Sequence, residues 1–289
     1  MKKKRVDVIV AVRNEEENIP LFINAVKGLN LPDSIEIGII FIEDSSTDRT
    51  LELLRKYSEH DVKVSYYSLK KGYGQTAALA FGLERSKADA MITMDVDGGH
   101  PVQVIPVMIN YFLEGADIVQ GVRRKNEKRD FYRNVGTSIF NIIFFLLAGV
   151  NTHKQNVFFR LMSKEVSKKF LSNTRALYFF RTNFSKKECI HEKYVSFEPD
   201  CRIFGKSEYN FIRLAKFALK APFSAMSAKR FFFIIFFTLL LILLCLLKGN
   251  TLFPVVLLLL IMLMLSTFYK ISSINILDHL EVKEQCVNR

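Results

Sequence analysis

Val6-Asp7-Val8-Ile9-Val10-Ala11-Val12-Arg13-Asn14-Glu15 decides the fold. Seven residues rich in Val and Ile end abruptly in a polar run, as a buried strand does when it opens into a loop. The same unit recurs downstream. β-branched runs stand at Glu36–Ile42, Val62–Ser68, Ala90–Met94 and Asp117–Val122. Helix-like stretches lie between them at Asn18–Leu29, Thr47–His60, Gln75–Arg85 and Pro101–Leu113. Asn18, with Pro20 in the first turn, reads as an N-cap, and Ser46 or Thr47 can cap the second helix. Alternation of strand and helix at this spacing predicts an α/β fold, Rossmann-like, with a mostly parallel sheet covered on both faces.

In such a sheet, ligands bind beyond the carboxyl ends of the strands. The unusual polar residues stand there. Arg13-Asn14-Glu15 follows the first strand, and Glu43-Asp44-Ser45-Ser46-Thr47-Asp48 the second. Lys70-Lys71-Gly72-Tyr73-Gly74-Gln75 follows the third, and Asp95-Val96-Asp97 the fourth. Each alone reads as a capped turn or a solvated loop. Four in succession at one rim read as a ligand site. Asp95 and Asp97 offer two carboxylates for a hard divalent cation, Mg2+ or Mn2+. A cation bridged to a diphosphate would neutralise charge building on a leaving group. Asp44 can accept hydrogen bonds from a nucleobase or ribose, and Lys70 can approach phosphate as a point charge.

The rest of the 289-residue chain is unevenly apolar. Phe231–Leu247 and Thr251–Tyr269 contain no charge, are near the length of a membrane span, and are separated only by Lys248-Gly249-Asn250. They predict a transmembrane hairpin. Lys229, Arg230 and Lys270 at its outer ends predict cytosolic termini. Tyr209–Lys220 places Arg213, Lys216 and Lys220 on one helix face, the pattern of a helix lying among lipid headgroups. The basic stretch from Arg123 to Arg133 precedes Ile139–Ala148, an apolar run too short to span and read as buried or interfacial. The net charge of +12 is consistent with anionic lipid or phosphate-bearing substrates. Nucleic acid is not expected, because aromatic-basic interleaving is absent. The start has a basic Met1–Arg5 without an apolar region after it, so no signal peptide is expected and the folded part is expected in the cytosol. Cys189, Cys201, Cys245 and Cys286 lack metal-ligand spacing and read as free thiols.

In order, Asn14-Glu15, Glu43-Asp44-Ser45-Ser46-Thr47-Asp48-Arg49-Thr50, Asp95-Val96-Asp97, Phe159-Arg160-Leu161 and Arg202-Ile203-Phe204-Gly205-Lys206-Ser207-Glu208-Tyr209 resemble the motifs of inverting GT-A nucleotide-sugar transferases of the family-2 type, which includes dolichol-phosphate mannose synthase. The C-terminal hairpin is similar to that of bacterial polyprenyl-phosphate glycosyltransferases. The resemblance implies a GT-A catalytic domain over residues 1–208, a juxtamembrane helix over 209–228, the hairpin over 229–270 and a cytoplasmic tail over 271–289. It implies transfer of a sugar from a UDP- or GDP-sugar donor to a polyprenyl phosphate at the cytoplasmic membrane face. The nucleotide would meet Arg13, Asn14, Glu15, Asp44, Lys70 and Asp95. Asp95 and Asp97 would hold the metal, and Asp97 and Arg202 would be catalytic. The acceptor phosphate would meet Arg123, Arg129, Arg133, Arg160 and Ser207. A homo-oligomer is left open.

Three positions depart from the family pattern. Gly99 stands where a Gln is frequent, Phe158 where an Asp precedes Phe-Arg-Leu, and Glu208 where a Lys precedes Tyr. A phosphate acceptor tolerates loss of a general base, because its second pKa is about 6 and it is mostly dianionic at neutral pH. Two alternatives remain. A processive polysaccharide synthase is disfavoured by the absence of tryptophan, which that group's Gln-x-x-Arg-Trp motif needs. A degenerate subunit that binds lipid or a partner transferase is motivated by the three departures.

Overall fold

The computed structural model describes residues 3–124, 156–172, 191–198, 228–247, 254–255, 257–258, 261–262, 265–266 and 280–288. The chain divides into two compact units. One comprises residues 1–126, 155–207 and 276–289, and the other residues 127–154 and 208–275.

The first unit is built on one eight-stranded sheet. Its strands are β1 (Lys4–Val12), β2 (Ile35–Glu43), β3 (Val64–Leu69), β4 (Ala90–Met94), β5 (Ile118–Arg123), β6 (Asn156–Ser163), β7 (Glu192–Phe197) and β8 (Val282–Cys286). The spatial order is β7-β5-β6-β4-β1-β2-β3-β8. β1 pairs in parallel with β2 and β4, β2 with β3, and β5 with β7. β6 runs antiparallel between β4 and β5, and β8 runs antiparallel along β3. The mostly parallel α/β sheet expected from the alternation is therefore present.

Helices α1 (Asn18–Lys27), α2 (Thr50–His60) and α4 (Ile105–Leu113) cover one face, and α3 (Gln75–Arg85) and α5 (Lys164–Ser172) the other. The two-residue period of the strands sorts the core. Val6, Val8, Val10 and Val12 join Phe22, Ile23, Leu54 and Met108 in one cluster, while Ile9 joins Leu79, Phe81 and Phe170 in the other. Asp7 falls on the second face and is buried there, where Arg5 donates to it at 2.9 Å and Ser86 at 2.7 Å. Gly82 permits α3 to lie close on the sheet, since a Cβ at that position would come within 2.4 Å of Ile9.

The helix starts differ from the sequence expectation. Asn18 is the first residue of α1 rather than its cap, and its amide side chain donates to Glu15 at 2.7 Å. α2 begins at Thr50, whose N–H is taken by Asp48 at 3.0 Å. Ser46 and Thr47 do not cap it, because both bond to Asn14 instead.

In the second unit, α6 (Ala228–Leu247) carries exposed Phe232, Phe236, Leu239, Leu240, Leu243 and Leu247, which fall on one face at helical spacing. Val255, Leu258, Met262 and Leu265 repeat that pattern in the following helical stretch. Among the described residues, no helix is long and apolar enough to cross a membrane. The uncharged part of α6, Phe231–Leu247, rises about 26 Å, just short of a hydrocarbon core of about 30 Å. The Lys248–Asn250 turn, Tyr209–Lys220 and Ile139–Ala148 lie outside the described residues.

Candidate active site

The carboxyl ends of β1, β2, β3 and β4 form one rim, as parallel pairing in register requires. Two of its residues have backbone geometry that L-residues seldom adopt: Asn14 at φ 55° and Ser45 at φ 61°. Such backbone persists only where surrounding bonds over-determine it. Here they do. The Asn14 side chain accepts from the Thr47 N–H at 2.8 Å, and the Asn14 N–H donates to Ser46 Oγ at 3.1 Å. The Glu15 N–H donates to Thr50 Oγ1 at 2.8 Å, and Glu16 exchanges hydrogen bonds with Asp48 and Arg49. The loops after β1 and β2 are thus one hydrogen-bonded body. Asn14 and Glu15, expected to meet the nucleotide, hold that body together through the contacts described.

Glu43 and Asp44 are both buried at the end of β2. Glu43 accepts from the Ser46 N–H and from Ser68 Oγ, the latter at 2.6 Å. Asp44 accepts from two successive backbone amides, Tyr73 at 2.7 Å and Gly74 at 2.8 Å. Gly74 sits at φ 91°, where a side chain would be strained. The Arg13 guanidinium lies against Gly72, where an added Cβ would meet it at 3.0 Å. Arg13 and Asp44 therefore frame the loop Lys70–Gln75. Lys70 ion-pairs with Glu281 at 2.8 Å, both side chains being exposed.

The end of β4 is built differently. Gln75 Nε2 donates to Asp95 Oδ1 at 2.5 Å, so the loop after β3 also reaches the second acidic loop. The Asp95 N–H donates to His100 Nδ1 at 2.8 Å. That bond puts the neutral ring's proton on Nε2. His100 is buried, stacked on Phe159 with centroids 5.1 Å apart and edge-on to Phe197 at 5.8 Å. Asp97 accepts from the Gly99 N–H at 3.0 Å, and both Asp95 and Asp97 are partly exposed. A Cβ at position 99 would come 2.9 Å from Asp97 Oδ1. The departure at Gly99 therefore leaves Asp97 its present rotamer.

Among the described residues, no group of three His, Cys, Asp or Glu side chains could hold a metal ion. Two hard carboxylates nonetheless fit a cation of the Mg2+ or Mn2+ kind, which takes one or two carboxylates and fills its shell with water and substrate phosphates.

On the far side of β4 stands Arg160. It lies on β6 in register with Thr93 of β4 and Gln120 of β5. Its side chain is buried, and burial pushes its pKa down to about 10, with Glu192 and Tyr194 acting the other way. Its motif implies a role in acceptor binding; its side chain is buried. Phe158 belongs to the second core cluster, and its carbonyl accepts from Thr93 Oγ1 at 2.6 Å. Arg123 is exposed at the end of β5. Arg129, Arg133, Arg202, Ser207 and Glu208 lie outside the described residues.

The rim thus gathers Arg13, Asn14, Glu15, Asp44, Asp95 and Asp97, with Lys70 turned to the C-terminal segment. Four contributors carried no role in the sequence reading: Gln75, Tyr73, Ser68 and His100. Gln75 and Tyr73 stood in a run already noted. The signal for His100 was its place five residues after Asp95, directly before Pro101.

The chain is 31% identical over 162 residues to a prophage bactoprenol glucosyl transferase homolog of Escherichia coli K12, covering 56% of this chain and 53% of that protein. It is 28% identical over 223 residues to an undecaprenyl-phosphate 4-deoxy-4-formamido-L-arabinose transferase of Pectobacterium carotovorum, covering 73% and 64%. The chain therefore spans about half to two thirds of the length of these relatives. Among solved structures, mannosyl-3-phosphoglycerate synthase from Rubrobacter xylanophilus superposes with a TM-score of 0.53 at 16% identity, over 76% of this chain and 71% of that one. Glucosyl-3-phosphoglycerate synthase from Mycobacterium tuberculosis, in complex with Mn2+, uridine-diphosphate-glucose and phosphoglyceric acid, gives 0.51 at 16%, over 76% and 78%. These two establish likeness of fold. The model for glycosyl transferase family 2 matches residues 7–180, more than half of the chain, and the chain belongs to that family.

Proposed function

We propose that the protein transfers a sugar from a nucleotide-diphosphate sugar to a polyprenyl phosphate at the cytoplasmic face of a membrane, with inversion. One observation carries the donor half of the reading. The loop Lys70–Gln75 clamps Asp44 through two amides and Asp95 through Gln75, at the carboxyl ends of four parallel strands in a family-2 chain. Base or ribose would lie over the loops after β1 and β2, with Asp44 and Arg13 at its edge. Asp95 and Asp97 would hold Mg2+ or Mn2+ against the diphosphate, and the bound cation would neutralise charge on the departing nucleotide. Arg202 would add its charge on the same side.

The acceptor half rests on the named relatives and on the apolar stripes of the second unit. The exposed Phe and Leu face of α6 is a surface for apolar surroundings, and Val255, Leu258, Met262 and Leu265 are exposed as well. Chain connectivity supports the hairpin reading. β1–β7 precede the apolar segments and β8 follows them, yet all belong to one sheet. A segment that leaves and rejoins one folded body crosses a bilayer an even number of times or not at all. By the family resemblance, Arg123, Arg129, Arg133 and Ser207 would bind the lipid phosphate, guanidinium groups bidentately.

In the step itself, a phosphate oxygen attacks the anomeric carbon opposite the nucleotide. The new C–O bond forms as the bond to the β-phosphate oxygen breaks, and the nucleoside diphosphate leaves. The test is incubation of purified protein with a panel of UDP- and GDP-sugars, Mn2+ and undecaprenyl phosphate. A glycosyl phosphoryl undecaprenol identified by mass spectrometry is expected. Donor binding with no lipid product from any sugar would overturn the acceptor and favour the degenerate-subunit reading.

A further inference from the structure

The segment 280–288 belongs to the stretch 271–289 that the sequence suggests only as a tail. Its composition, Leu280-Glu281-Val282-Lys283-Glu284-Gln285-Cys286-Val287-Asn288, is polar and short. In the structure it completes the sheet, and its contacts fall into two groups.

The first group anchors it. The Arg55 guanidinium grips the Glu284 carboxylate with two nitrogens, Nε at 2.6 Å, and Tyr66 Oη donates to the same carboxylate at 2.7 Å. The arginine holds Glu284 well below its ordinary value, to about 2, so the pair stays charged until strongly acidic pH. Asn288 Nδ2 donates to the carbonyls of Ser58, Val64 and Asp61, closing the turn between α2 and β3. The Asn288 N–H donates to Ser65 Oγ at 3.0 Å.

The second group reaches the donor loop. Lys70 donates its N–H to the Glu281 carbonyl at 2.9 Å and its ammonium to the Glu281 carboxylate at 2.8 Å. The Glu281 N–H donates to Tyr73 Oη at 3.2 Å. A register shift beside Ser68 and Leu69 re-aims the segment, so Leu280 and Val282 pack on the second core cluster while Cys286 packs on the first. The loop held by this end is the one whose amides bind Asp44 and whose Gln75 binds Asp95.

We infer that the C-terminal strand is a strap that positions the donor-binding loop, with Glu284 and Asn288 as its anchors and Glu281 as its contact with Lys70 and Tyr73. The inference rests on the reading of this rim as the nucleotide-sugar site. A loop ordered before the ligand arrives loses less freedom on binding, so the strap contributes to donor affinity without touching the donor. Glu281, Glu284 and Asn288 are positioning residues.

The test uses the full-length protein and the double variant Glu284→Lys/Asn288→Ala, which removes both anchors. Amide hydrogen exchange follows β8 and the Tyr73 and Gly74 amides. Titration measures the dissociation constants of UDP and GDP in the presence of Mn2+. Expected are faster exchange in β8 and at Tyr73 and Gly74, and about tenfold weaker binding of whichever nucleotide the wild type prefers. Binding of undecaprenyl phosphate should stay within about twofold of wild type. Wild-type nucleotide affinity with β8 released would overturn the strap. So would a β8 that stays protected in the double variant, because the named anchors would then not be what holds it. Asp97→Ala is measured alongside. If it keeps wild-type nucleotide affinity, the donor-site reading itself falls. If it weakens binding and the strap variant does not, only the strap falls.

Discussion

The two acidic loops of the rim are built on different plans. After β2, Glu43 and Asp44 are buried, and each has both carboxylate oxygens engaged by amides or hydroxyls. After β4, Asp95 and Asp97 are partly exposed and stand on a Gly98-Gly99 turn with a buried imidazole beneath. A carboxylate whose acceptors are filled by fixed donors shapes a loop. A carboxylate that is partly exposed at the rim can meet a cation. Both pairs look alike in the sequence, as two acids near a strand end, and burial separates them.

The largest expected consequence falls on the partly exposed pair. Asp97→Ala should lower sugar transfer by about a thousandfold, the scale of removing one group that stabilises charge in the transition state, while the melting temperature stays within a few degrees. Initial rates with saturating donor, beside a thermal melt, check this. Activity within tenfold of wild type would erase the distinction between the loops.

The opposite result is expected of the closed pair. Glu43→Ala removes the acceptor of the Ser46 amide and the Ser68 hydroxyl, leaving the latter without it at a buried position. Hydrogen bonds to a charged group are worth about 1.5–3 kcal/mol each, and the loss expected is about 3 kcal/mol. For a domain of this size that lowers the melting temperature by roughly 6–12 °C. A variant with unchanged melting and lost activity would make Glu43 a ligand-binding group instead.

A smaller effect sharpens what the partly exposed pair does. With only two carboxylates and no third protein ligand among the described residues, Mn2+ should bind the free protein weakly. A nucleoside diphosphate should tighten it by about tenfold, because Mg2+- and Mn2+-type sites complete their shell with phosphate oxygens. Paramagnetic titration of Mn2+ with and without UDP or GDP measures this. Equal affinity in both would point to a resident metal and a third ligand elsewhere. The smallest change is Gly99→Ala. Its Cβ would press on Asp97 Oδ1, which can rotate away, so the nucleotide-dependent Mn2+ affinity should fall only about threefold. No change at all would show that the rotamer of Asp97 at this turn is immaterial.

The first five strands and four helices were legible because each carries its own periodicity, and boundaries shifted by only a few residues. The helix caps differ from the local pattern for one reason. Ser46 and Thr47 have cap chemistry, but a partner distant in sequence, Asn14, takes them first. β6, β7 and β8 were not read at all. β7 is short and polar on one side, β6 carries a buried arginine, and β8 follows two apolar segments, so local pattern gave no reason to return it to the sheet.

The sequence by itself determined the parallel core, the rim where chemistry is placed, the residue types on that rim and the family. These are properties of short runs, and short runs carry the two-residue and 3.6-residue periods that backbone geometry imposes. Tertiary structure alone decided which of four carboxylates are buried and which are partly exposed, that Lys70 faces Glu281, that Arg160 is buried, and that residues 280–288 pair with β3 beside the loop Lys70–Gln75. Most of those depend on partners tens to hundreds of residues away. Such partners are fixed by strand order and register, and no local pattern encodes them.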